Sequence, residues 1–150
     1  MEAPTRVSEV VFLTGVADVV DFTVRLLRKK YREGARVAVY APPPLLQRLD
    51  QLLWVAEQLD FTPHIWLKDG AGQPTPTQLA RTPLWLLGKP LPALRCETGV
   101  NLGCEDLDLA TAHERVAEVV STESAEVAAG RARWKHYETQ GHTLVHRPQR

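Results

Sequence analysis

Val10-Val11-Phe12-Leu13, the break at Thr14-Gly15, the stretch Ala17 to Tyr31 and the run Arg36-Val37-Ala38-Val39-Tyr40 together decide the fold. The first run is short and apolar, as a buried strand requires. Ala17 to Tyr31 places Val20, Val24 and Leu27 on one face at helical spacing, and Gly34 supplies a C-terminal stop. Arg36 to Tyr40 then reads as a second strand. A strand, a crossover helix and a second strand make a βαβ unit, and such units build a parallel sheet covered by helices.

The pattern continues outward. Pro42-Pro43-Pro44 blocks further strand and opens a helix that runs to about Leu59, with Leu45, Leu49, Leu52 and Leu53 as its expected core stripe. Ile65 to Leu67 is a short strand, Asp69 to Thr77 a Gly- and Pro-rich loop, and Leu84 to Leu87 another strand. Thr98 to Leu102 reads as a strand, Glu105 to Glu114 as a short helix and Arg115 to Val120 as a strand. Ser121-Thr122 offers an N-cap to a last helix, with Glu123 and Glu126 near its positive end. That helix ends near Gly141, and His142 to His146 alternates like an edge strand. The expected architecture is a three-layer α/β/α, Rossmann-like, mostly parallel sheet, as a single domain over residues 1–150.

The chain holds 18 Lys+Arg and 18 Asp+Glu, a formal net charge of zero. Phosphate contacts dominate DNA affinity, so this balance argues against strong DNA binding by the whole surface and leaves room only for a local basic patch. The cluster Arg25, Arg28, Lys29, Lys30, Arg32 and Arg36 reads as an exposed helix face, with weak DNA contact as its alternative. No apolar run is long enough to span a bilayer. Met1-Glu2-Ala3-Pro4 lacks the basic start and apolar core of a signal peptide, so a cytoplasmic location with reduced thiols is expected.

Enzyme chemistry finds little support. The first strand–helix turn carries a single glycine where a dinucleotide site needs GxGxxG. Gly88-Lys89-Pro90 departs from the phosphate-binding loop, because proline removes a needed donor. No GxSxG elbow surrounds Ser8, Ser121 or Ser124. Cys96 and Cys104 read as packed or surface thiols, and Glu105, Asp106 and Asp108 as the solvated start of a helix. His136, His142 and His146 suggest a metal cluster at first. On a strand, however, His142 and His146 stand roughly 13 Å apart, too far for one ion. The residues imply no catalytic site, metal or cofactor. The alternative is a nucleotide-dependent or hydrolytic enzyme, with a polar pocket near Thr14 and Tyr40.

The last helix carries the clearest binding signal. Arg131, Arg133 and Lys135 have no acid among them. Val127, Arg131 and Lys135 recur every four residues and share a face, with Trp134 on its flank. Spacing alone favours a solvated basic face with Trp134 turned into the core. The other reading is a cationic ridge beside a flat aromatic, suited to an acidic peptide with an apolar anchor. Likewise, Trp54 and Phe61 are either core residues or an exposed apolar patch for a protein partner.

The runs Leu49-Asp50-Gln51-Leu52-Leu53-Trp54, Phe61-Thr62-Pro63-His64, Tyr31-Arg32-Glu33-Gly34-Ala35-Arg36-Val37, Arg115-Val116-Ala117-Glu118-Val119-Val120 and Arg131-Ala132-Arg133-Trp134-Lys135-His136-Tyr137, with Gly141 beyond, can be taken together. In their order and spacing they resemble the chi subunit family of the bacterial DNA polymerase III holoenzyme. The resemblance covers nearly the whole chain. It implies a cytoplasmic, non-catalytic replication subunit of a DNA-directed DNA polymerase complex, with DNA contact mainly indirect. Its implied partners are the psi subunit with the clamp loader, and the acidic C-terminal tail of single-stranded-DNA-binding protein. By position, Val120, Val127, Arg131, Trp134 and Lys135 would hold the tail, and Trp54 and Phe61 would face psi. Trp134 keeps the aromatic area of a family tyrosine. Val127 stands where the family can carry a basic residue. Trp66, after the Phe-Thr-Pro-His run, departs from the family pattern and would reshape the psi surface.

Overall fold

A computed structural model describes residues 8–55, 62–68, 72–105 and 107–149. Its seven strands are β1 (Glu9–Val16), β2 (Val37–Tyr40), β3 (His64–Trp66), β4 (Leu84–Leu87), β5 (Thr98–Asn101), β6 (Arg115–Ser121) and β7 (Thr143–Pro148). They form one sheet in the order β3-β4-β2-β5-β6-β1-β7. Every strand pair in it is parallel. The helices are α1 (Val19–Arg32), α2 (Pro43–Val55), α3 (Pro76–Arg81), α4 (Leu109–Ala112) and α5 (Ser124–Thr139).

Alternation along the strands divides the core into two layers. Val37 and Val39 of β2 join Val20, Val24 and Leu27 of α1 and Leu46, Leu49 and Leu53 of α2 on one face. Ala38 and Tyr40 join Leu109 and Ala110 of α4 and Tyr137 of α5 on the other. This is the three-layer α/β/α arrangement, with the sheet between.

Local chemistry explains the helix ends. Asp18 caps α1 by accepting from the backbone N–H groups of Val20 and Asp21 at 3.1 Å each. Gly34 follows α1 at φ 79°, a left-handed conformation that costs glycine little.

Several details differ from the sequence reading. β1 does not break at Thr14-Gly15 but continues through them to Val16, and the irregularity shows only as a register shift against β6 between Leu13 and Val16. β7 covers Thr143–Pro148 rather than His142 to His146. The buried stripe of α2 is Leu46, Leu49 and Leu53, while Leu45 is half-buried and Leu52 is 37% exposed. A 3.6-residue period cannot choose between adjacent leucines; the angle at which the helix meets the sheet does. The described helix reaches Val55, and residues 56–59 lie outside the described residues. Pro76–Arg81 is helical where a loop was expected to run to Thr77. Thr75 and Gln78 form a capping box with proline at the start of the helix, a signal that the glycines upstream obscured. The expected helix over Glu105 to Glu114 shrinks to Leu109–Ala112. The N-cap of α5 is Glu123, without a side-chain cap bond, rather than Ser121-Thr122. Ser121 Oγ instead accepts from the Glu123 N–H at 3.3 Å.

Candidate functional site

β7 returns from α5 to lie parallel to β1 at the sheet margin, pairing Phe12 with His146 and Thr14 with Pro148. A cleft of about 470 Å³ opens there beneath α5. One face of α5 supplies Val127, Gly130, Arg131 and Trp134, at the i, i+3, i+4, i+7 spacing that shares a helix surface. The strands supply Phe12, Thr14, Val120 and His146.

Gly130 sets the depth of the cleft. A Cβ added there would stand 3.2 and 3.3 Å from the two Val120 methyls, so the missing side chain lets α5 approach β6 closely. Trp134 is half-buried and meets Phe12 edge-on, with ring centroids 5.1 Å apart and planes at 63°. That is the favourable aromatic arrangement, and it leaves part of the indole open to a ligand. His146 closes the far side, sharing a 2.7 Å hydrogen bond with Thr14 Oγ1. Arg131 is exposed at the mouth. Its guanidinium can grip a carboxylate there while the apolar wall buries a hydrophobic side chain.

Four of the five residues expected to bind a tail, Val120, Val127, Arg131 and Trp134, therefore line one cleft. Lys135 is exposed, one turn beyond Arg131, and is not part of the lining. The sequence reading missed Phe12, Thr14, Gly130 and His146. A glycine inside a helical pattern was the available signal for Gly130. Nothing local marked the other three, because they arrive through strand pairing.

Arg133 does not belong to the solvent-facing ridge. Its side chain is only 10% exposed and turns inward to Glu118, which is fully buried in β6. Arg133 Nε donates to Glu118 at 2.8 Å, Tyr137 Oη at 2.9 Å and Asn101 Nδ2 at 3.0 and 3.1 Å. Arg133 also reaches Glu105 at 3.0 Å. Burial pushes the Glu118 carboxyl above its ordinary range; Arg133, Asn101 and Tyr137 draw it back. Burial likewise raises the Tyr137 hydroxyl, with the Glu118 charge adding to it. The network ties α5 to β6, and so holds Arg131 and Trp134 where they stand.

At the other end of α2, Trp54 is 55% exposed and Val55 67%, beside Leu52. The Trp54 ring lies 5.2 Å from that of His64, whose ring nitrogens stand 2.9 Å from Asp50 Oδ1 and 2.9 Å from the Thr62 carbonyl. An apolar knob thus projects from a polar, well-braced base. Phe61 lies outside the described residues. Trp66 is half-buried against the α1–α2 core layer, with Lys68 Nζ 4.6 Å from its ring centroid.

Burial pushes both the Cys96 and the Cys104 thiol up to about 11, which keeps them protonated and poorly nucleophilic at neutral pH. The cleft of about 440 Å³ near the carboxyl ends of the strands is lined by Asp18, Glu123 and Glu126, with Arg48 its lone cation among the described residues. Those carboxylates repel phosphate, and Asp18 already occupies the α1 donors that an anion would use. His142 accepts from the Ser8 N–H at 3.1 Å, while His146 is bound to Thr14. No group of three or more metal-ligating side chains occurs among the described residues. No helix among them is long and apolar enough to cross a membrane.

A family model described as DNA polymerase III chi subunit, HolC, matches residues 7–145. No curated protein matches the chain.

Proposed function

The chain belongs to the DNA polymerase III chi subunit family, and from that premise we propose that it is a non-catalytic adaptor of the replication machinery in the cytoplasm. One side takes the acidic C-terminal tail of single-stranded-DNA-binding protein; the other joins the clamp loader through the psi subunit. The observation that carries the tail assignment is the cleft under Trp134. It combines an apolar wall with an exposed guanidinium at its mouth, the two features that an acidic peptide ending in an apolar side chain and a carboxylate requires. Val120 and Val127 form the wall, Trp134 the aromatic face and Arg131 the charge clamp. Lys135, one turn further on the same helix, meets the acidic residues that precede the terminus. The exposed Trp54, with Leu52 and Val55 beside it, supports a protein-docking role for the end of α2, and Phe61 joins that surface by sequence position. DNA contact is then mainly indirect. Two modest contacts on one body raise the local concentration of each partner for the other.

The test is fluorescence anisotropy of a labelled C-terminal peptide of single-stranded-DNA-binding protein, titrated with the intact protein and with Arg131→Ala and Lys135→Ala. Micromolar binding that weakens with salt is expected. Each variant should lose on the order of 1 to 3 kcal/mol, about 5- to 150-fold. Absence of binding by the intact protein, or binding that both variants leave unchanged, would remove the tail assignment.

A further inference from the structure

Successive side chains of β1 and β7 point to opposite faces of the sheet, so these two strands serve both sides of its margin. Phe12 and His146 face the cleft under Trp134. Their neighbours Val11, Leu13 and Arg147 line a second, larger cleft of about 750 Å³ on the α1 side. It exists because α1 lies over β6 and against α2, which leaves this margin open on that face. Phe22 and Leu26 of α1 and Ala117 of β6 add to an apolar floor.

The lining is strongly cationic. Among the described residues of the lining, Arg25, Lys29 and Lys30 come from α1, Arg115 from β6 and Arg147 from β7, against the single carboxylate of Glu9. In a chain with zero formal net charge, this is a marked segregation. Arg25 meets Asp21 at 3.1 Å, Lys30 meets Glu33 at 3.7 Å and Arg115 meets Glu97 at 3.5 Å. These pairs are solvent-accessible, so they hold their partners weakly and can exchange them. Lys29 and Arg147 form no ion pair among the described residues.

We infer that this groove binds the backbone of single-stranded nucleic acid, with low affinity and without base selection. A polyanion with regularly repeated charges can engage Arg25 and Lys29, one helical turn apart, together with Arg115 and Arg147 across the groove. The apolar floor accepts base faces, and the planar guanidinium groups of Arg115 and Arg147 can stack on them. A rigid duplex would present only phosphates to that floor. The binding is weak because, among the described residues, Phe22 is the sole aromatic in the lining. The inference is independent of the tail assignment, which concerns the opposite face of the same two strands.

The test is anisotropy of a short fluorescein-labelled oligothymidine with the full chain across a salt series. Five phosphate contacts imply a log–log salt slope near about −3.5, or roughly 100-fold weaker binding at about 200 mM than at about 50 mM salt. The Lys29→Glu/Arg147→Glu double variant should bind at least about tenfold more weakly at low salt, with the slope flattened by about 1.4 or more. Its binding of the acidic tail peptide, or its urea midpoint if that peptide does not bind, should stay unchanged as the control for folding. Three results would overturn the inference. One is no saturable binding at low salt, and another is equal binding by the double variant. The third is capture of an oligoglutamate peptide in place of oligothymidine, lost in the double variant, which would assign the groove to a protein partner.

Discussion

Replacing Arg133 with methionine leaves Glu118 as a fully buried carboxylate whose remaining donors among the described residues are Asn101 and Tyr137. Breaking a buried pair in this way costs about 3–5 kcal/mol. A second limit comes from the proton. Glu118 can escape by protonating, at about 1.4 kcal/mol for each pH unit above its unfolded value near roughly 4.3. That limit is about 5 kcal/mol at pH 8 and about 1 kcal/mol at pH 5. The exposed half of the lost contact, Arg133 to Glu105, adds at most about 1 kcal/mol.

The sign of the pH dependence follows from the direction of the shift. The Glu118 carboxyl is raised in the folded state by burial. Its contribution to stability is therefore fully present below the unfolded pKa and is lost as pH rises through the folded one. Removing Arg133 removes the main downward pull and carries the folded pKa higher still. The loss relative to the unaltered protein must then grow with pH. Urea denaturation should show Arg133→Met destabilised by about 1–2 kcal/mol at pH 5 and about 3–5 kcal/mol at pH 8. Glu118→Gln combined with Arg133→Met removes the charge and keeps an acceptor for Tyr137 and Asn101. It should recover most of the loss at pH 8. A cost below about 1 kcal/mol at pH 8, equal costs at the two pH values, or no recovery in the double variant would refute the reasoning.

A second test concerns Gly99, where an added Cβ falls directly on the His113 ring. His113 is held by Tyr40 at 2.6 Å and by the Cys96 carbonyl at 2.8 Å and cannot give way, so Gly99→Ala should cost about 1–3 kcal/mol in urea denaturation; a neutral effect would show that the ring can move. A third concerns Trp54. Because it is more than half exposed, Trp54→Ala should change stability by less than about 1 kcal/mol while abolishing co-purification with a co-expressed psi subunit. Retained co-purification would move that partner to another surface.

Much of the fold was legible because its signals are local. Val20, Val24 and Leu27 repeat at the helical period, and all three are buried. Leu84 to Leu87 forms a continuous apolar run, as a strand covered on both faces must. The last helix was less legible. Among its described residues only Gly130 and Tyr137 are buried, so its sequence carries almost no apolar stripe from which to orient it. Arg131 and Arg133 look equivalent in the chain, yet one is exposed at the cleft and the other is sunk against Glu118. The unread clue was Glu118 itself, a charge inside the apolar run Val116 to Val120. A carboxylate in a strand covered on both faces demands donors from a neighbouring element, and α5 provides them.

The sequence by itself determined the kinds of element and their order, since the two-residue and 3.6-residue periods are properties of neighbouring residues. It also placed an aromatic among cations on the last helix. Only the tertiary structure decided what those residues face. Pairing β7 with β1 joins His146 to Thr14 across 132 positions of chain and builds the far wall of the cleft. The same pairing sets Arg147 beside Leu13 on the opposite face and completes the basic groove. No local pattern encodes either contact. Strand order is selected by burial of both apolar faces of the whole sheet at once, and the buried Glu118 carboxylate then selects which arginine of α5 turns inward and which stays exposed at the cleft.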